Sequence, residues 1–81
     1  MKLNEIAEGS SCVVKSISLK GAIRRRLQDL GLIEGTNIYC VLKSPKGNPI
    51  AYCIRGAIIA LRNSDTEKIT VEYTEWYYGI N

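Results

Sequence analysis

Apolar residues recur with a helical rhythm in one stretch, Gly21 to Thr36, and with a strand-like rhythm in the segments that flank it. Ile23, Leu27 and Leu30 fall at i, i+4 and i+7, which at about 100° per residue puts them on one stripe, with Arg24, Arg25 and Gln28 turned away. Gly31 stands where a helix end wants a left-handed residue, and Leu32 beyond it suits the hydrophobic partner of a Schellman ending. The helix predicted here is about ten residues long. At that length it cannot persist alone in water, so its stripe must be buried against the strands on either side.

Leu3 and Ile6, with Asn4 as N-cap and Gly9 as a stop, predict one N-terminal helical turn pinned to the core. Cys12 to Ile17 reads as a first strand. Asn37 to Lys43 reads as a second, with Ile38, Cys40 and Leu42 alternating against Tyr39, Val41 and Lys43. Ser44 to Pro49 is dense in turn formers, and Pro45 and Pro49 lack the donor a ladder needs, so it reads as a loop. Ile50, Tyr52 and Ile54 then alternate with Ala51, Cys53 and Arg55 as a third strand. The step Arg55-Gly56 is a tight hairpin signal. Ala57 to Arg62 forms a fourth strand, with Ile59 and Leu61 on one face and Ile58 and Ala60 on the other. Asn63 to Thr66 turns the chain into a fifth, carrying Ile69, Val71 and Tyr73.

The expected fold is therefore mainly β: a small, partly open SH3-like barrel of about five strands, with one short helix after the first strand and a helical turn at the N-terminus. Residues 1–73 read as this barrel domain and residues 74–81 as an aromatic tail. The tail holds the single Trp and two of the five Tyr residues. It is expected to fold back over the barrel mouth or to form a contact surface for another chain.

Composition adds exclusions. Eighty-one residues leave room for one core and no deep cleft. With 46% hydrophobic and 23% charged residues the chain is far from the signature of disorder. No apolar run approaches the roughly 18 to 20 residues that span a bilayer, and Met1 to Glu5 lacks a signal-peptide core, so a cytoplasmic location is expected. Cys12, Cys40 and Cys53 lie in apolar runs with no Cys-x-x-Cys spacing, and the chain has no histidine. They are expected as reduced core thiols. Net charge is only +3, but Lys15, Lys20, Arg24, Arg25 and Arg26 come without an intervening acid, whereas Asp65, Glu67, Glu72 and Glu75 face only Lys68. A basic side and an acidic side are expected.

Catalysis finds no support. There is no histidine base and no phosphate-loop motif, and Lys46-Gly47-Asn48-Pro49 lacks the strand-to-helix setting of such a loop. No catalytic, cofactor-binding or metal-ligating residue is assigned. The run Arg24-Arg25-Arg26 reads as a solvated helix face or as a surface for an acidic patch on a partner, with Arg26 snorkelling along the apolar stripe. The alternative is a nucleic-acid-binding barrel with Tyr39 and Tyr52 as stacking platforms. The absence of Phe and the presence of an acidic end count against it.

Four segments in order carry a resemblance: Arg25-Arg-Leu-Gln-Asp-Leu-Gly-Leu-Ile-Glu-Gly-Thr, Pro49-Ile-Ala-Tyr-Cys-Ile-Arg-Gly, Ala60-Leu-Arg and Ile69-Thr-Val-Glu. Together they resemble the FeoA family of small accessory proteins of bacterial ferrous iron uptake, over about Leu3 to Glu72. The resemblance implies an SH3-like barrel that regulates or assembles a FeoB-type transporter by contacting its cytoplasmic GTP-binding portion. It carries a family label of transition-metal binding. Without histidine or clustered carboxylates, however, this chain is expected to need no cofactor and to associate with Fe²⁺ only weakly or transiently. The candidate partner-binding residues are Arg24, Arg25, Gln28, Tyr52, Arg55, Ile58, Trp76 and Tyr77. The chain departs from the family pattern at Ala57 and Ile58, where an aromatic followed by a polar or basic residue is usual, and again in its tail. Ile58 and the tail are the two routes to self-association.

Overall fold

The computed structural model describes residues 1–74, with five strands, β1 (Ser11–Ile17), β2 (Asn37–Lys43), β3 (Ile50–Ile54), β4 (Ala57–Leu61) and β5 (Ile69–Tyr73). Helix α1 (Gly21–Asp29) follows β1, and a one-turn helix α2 (Asn63–Thr66) occupies the stretch expected only to turn the chain. The strands form a single antiparallel sheet in the order β4-β3-β2-β1-β5. This is the mainly β arrangement with an inserted helix that the hydrophobic pattern predicts.

Alternation fills one core. Ile50, Tyr52 and Ile54 are buried on β3 while Ala51 and Cys53 are only half-buried, and Cys12, Val14, Ile38, Cys40, Ile69 and Val71 come in from the neighbouring strands. Leu3 and Ile6 pin the N-terminal 3₁₀ turn (Leu3–Glu5) into the same core. The cap of that turn differs from the expectation. Lys2 takes the N-cap position in place of Asn4, and its N–H donates to the Glu5 carboxylate at 2.6 Å, where the acid also offsets the unpaired N–H groups of the first turn.

Two predicted core positions lie outside the core. Alternation along β2 predicts Leu42 facing inward with Ile38 and Cys40, but the β2–β3 register shifts between Cys40 and Leu42, so one residue is inserted and every later side chain changes face. Leu42 is consequently 57% exposed. Leu30, predicted on the helix stripe, is instead the C-cap residue, where the helix has already ended, and is 39% exposed. Leu27 alone on α1 is fully buried, with Ile23 packed at its margin.

The helix ends as its sequence requires. Gly31 adopts a φ of 100°, its N–H donates to Gln28 O at 3.0 Å, and the Leu32 N–H reaches back to Leu27 O at 2.9 Å, the two bonds of a Schellman motif. Leu27 and Leu32 thus both enter the core from one turn. Buried Thr36 then locks the exit: its hydroxyl donates to Gly31 O at 2.9 Å and accepts from the Ile33 N–H at 3.1 Å.

Truncating Leu27 to Ala removes the one buried anchor of α1 and is expected to cost about 2–5 kcal/mol, measured by urea unfolding; a cost below about 1 kcal/mol contradicts the packing described. Gly31→Ala forces a side chain into left-handed backbone and is expected to cost about 1 kcal/mol or more.

Burial also pushes the Cys12 thiol up from its ordinary 9.0 to about 11, with the neighbouring Cys40 adding to the effect, and burial likewise raises Cys40. The unfolded chain then loses its thiol protons first. Stability is complete below about pH 9 and falls as pH rises toward 11, by on the order of 2–3 kcal/mol for Cys12. Chemical denaturation at pH 7, 9, 10 and 11 checks this, and Cys12→Val is expected to flatten the alkaline decline; an unchanged slope in that variant assigns the decline to other groups.

Candidate functional site

The arginines of α1 divide by role. Arg24 does not turn away into solvent as its helical position suggests. Its Nη1 donates to the carbonyl oxygens of Ile17 and Leu19 at 3.0 and 3.2 Å, satisfying backbone groups where β1 ends and tying the helix to the segment that leads into it. Arg25 and Arg26 are exposed and line a shallow groove of about 350 Å³ with Ala22, Asp29 and Leu30. Neither pairs with an acid among the described residues. Gln28, although exposed, lines a different groove of about 300 Å³ with Ile17, Arg24, Ile33 and Glu34. Exposed Leu30 and half-exposed Ile33 follow the arginines at the helix end. The result is a small surface on which two guanidinium groups, neither paired with an acid among the described residues, share a groove with exposed Leu30, while Ile33 lines the groove of Gln28.

The expected partition into a basic and an acidic side does not hold in full. Strand β5 lies antiparallel beside β1, and Lys15 Nζ stands 3.6 Å from Glu72 Oε1. The acidic segment therefore lies against part of the basic one. Both side chains are half-exposed or more, so the pair adds little to stability.

Tyr52 is removed from the candidate surface. Its side chain is 0% exposed, and burial raises its phenol above the usual range, so it reaches neither a partner nor a base to stack on. The inward parity of β3 explains this, since Tyr52 shares a face with Ile50 and Ile54. Tyr39 is exposed on the outer face, where it lines a cleft of about 540 Å³ with Ser11, Thr36, Asn37, Cys53 and Arg55. The expected pair of stacking tyrosines is thus split between the two faces of the sheet.

Arg55 occupies the first turn position of the β3–β4 hairpin with a φ of 50°, followed by Gly56 at 86°, the left-handed pair a two-residue turn demands. Its aliphatic stem lies over Gly31, so closely that a methyl group added at Gly31 would overlap the Arg55 Cδ. Two motif segments far apart in the sequence therefore meet here, and the glycine serves a second purpose beyond ending the helix. No periodicity could have paired them. Sequence reasoning also passes over Thr36; the signal for it is a hydroxyl one residue after Gly35, at the entry to β2. Ile58 is exposed on β4, as its alternation predicts. Trp76 and Tyr77 lie outside the described residues.

Among the described residues, no three Cys, Asp or Glu side chains gather as a metal site would need, and no helix is long and apolar enough to cross a membrane. Burial raises the thiols of Cys12 and Cys40, which opposes the thiolate form that a metal would need.

With this geometry established, comparison with known proteins gives consistent results. The FeoA domain model matches residues 1–73. A Porphyromonas gingivalis Fe(2+) transport protein A/Fe(2+) transporter FeoB fusion protein is 32% identical over 72 residues, 89% of this chain; the chain spans only 8% of that relative's length. The FeoA protein of Chlorobium tepidum has 36% identity and a TM-score of 0.87, covering 93% of this chain and 71% of that one. FeoA of Stenotrophomonas maltophilia, an SH3 domain protein solved with zinc, has 33% identity and a TM-score of 0.76, with 89% of each chain covered. The fold is SH3-like, and the chain belongs to the FeoA family, which is linked to ferrous iron transport.

Proposed function

We propose that this chain is a non-catalytic accessory protein of ferrous iron uptake. Residues 1–73 act as its working domain, and it regulates or assembles a FeoB-type transporter by binding the transporter's cytoplasmic portion. The observation that carries this reading is the fusion relative, in which a homologous segment and a FeoB transporter share one chain. Covalent linkage holds two modules at high effective concentration, which is useful only where they work together. A free chain must find its partner by diffusion. Exposed Arg25 and Arg26 supply charge for steering, and Leu30 in the same groove supplies apolar area for retention. Arg24 is not part of this contact, because its guanidinium is committed to backbone carbonyls.

Calorimetry and stopped-flow binding with the transporter's cytoplasmic domain test the proposal. Binding is expected at low salt, and Arg25→Glu/Arg26→Glu is expected to slow association about tenfold while leaving the unfolding transition in place. No binding at low salt, or an on-rate indifferent to the charge reversal, overturns the assignment. Iron is the cargo of the transporter in such a complex, and the accessory chain has no need to hold it. Anaerobic titration of the isolated chain with Fe²⁺ is expected to show no saturable site tighter than about 100 μM; a tight stoichiometric site would demand a direct role in metal handling.

A further inference from the structure

The two edges of the sheet differ. At β5 the N-terminus supplies a partner: the Val71 N–H donates to Met1 O at 2.7 Å, the Met1 amino group donates to Val71 O at 3.2 Å, and Lys2 bridges Thr70. At β4, nothing among the described residues does the same. Register tells which groups are open. The pair flanking the two-residue turn is Ile54↔Ala57, and bonded and non-bonded pairs alternate from there, so Tyr52↔Ile59 and Ile50↔Leu61 also exchange bonds. The N–H and C=O of Ile58 and Ala60 consequently point away from β3, and they have no partner among the described residues.

Exposed edges are ordinarily blunted by charge, proline or a bulge. Strand β4 has none of these. Ala57-Ile-Ile-Ala-Leu carries no ionisable side chain and no proline, and it pairs with β3 at five consecutive positions without a register shift. Its outward side chains are Ala60 and Ile58, the latter 68% exposed.

We propose that this edge pairs with the same edge of a second copy of the chain, antiparallel about a two-fold axis at Ile59, to form one continuous sheet. With the axis there, Ile58 of each copy faces Ala60 of the other. The four open backbone groups of each strand then satisfy one another, and a large side chain sits beside a small one on the same sheet face. Charge permits the approach. Arg62 falls opposite Gly56, whose neighbour Arg55 is drawn back across Gly31. Five residues a side bury less than the roughly 1,200 Å² of a standard interface. The pairing is therefore reversible and concentration-dependent.

Sedimentation equilibrium and amide NMR of the full chain, from about 10 μM to about 1 mM, test this. The average mass is expected to rise from 9.0 kDa toward twice that value, with concentration-dependent amide shifts centred on Ile58 and Ala60. Ile58→Lys places a charge on the edge, and Ala60→Pro removes an N–H that the β3–β4 ladder does not use. Each is expected to weaken association at least tenfold. Thermal melts identify any variant that has lost its fold, leaving the other to decide. A monomer throughout the range, a dimer indifferent to a folded variant, or shifts confined to another surface overturns the proposal.

Discussion

The left-handed turn at Gly31 is the constraint on which most of this structure rests. It ends α1, reverses the chain so that Leu27 and Leu32 enter the core together, and presents a bare backbone on which the stem of Arg55 lies. The helix is too short to be stable alone, and without that reversal its single buried leucine would have no neighbour from its own segment. Thr36 extends the constraint by tying Gly31 O to the entry of β2. A nine-residue helix, a loop and a hairpin tip are thus held by one small junction.

That junction also decides which charges are available. Because α1 is drawn against the end of β1, Arg24 lies within reach of two carbonyls and is spent on structure, whereas Arg25 and Arg26, one and two positions further round the helix, are left in solvent. Three consecutive arginines of identical chemistry divide into one tether and two cations that have no acid partner among the described residues. Family membership gives this division meaning, since the fusion relative places a homologous segment in one chain with a FeoB transporter. The exposed pair and Leu30 beside it form the charged and apolar surface on which the proposed contact rests.

The sheet has a comparable asymmetry. One edge is closed by the N-terminus of the same chain, at the expense of ordering Met1 and Lys2, and the other, among the described residues, is left neutral, unpaired and without a register shift. A small domain has little surface to cover an edge with, so an open strand of this composition stands out physically from its protected counterpart.

Local rules were enough for much of this. Apolar alternation in Ile50, Tyr52 and Ile54 set the inward face of β3, Arg55-Gly56 set the hairpin, and Gly31-Leu32 set the helix end, because each depends on residues adjacent in the chain. Motif order was enough for the family. What the sequence could not reveal were the features created by pairing distant segments: the inserted residue that turns Leu42 outward, the carbonyls that capture Arg24, the approach of Glu72 to Lys15 and the stem of Arg55 over Gly31. Periodicity of a single strand or helix reports which side of that element is apolar. Register, edges and the company each side chain keeps are properties of two elements together, so only the folded chain determined them.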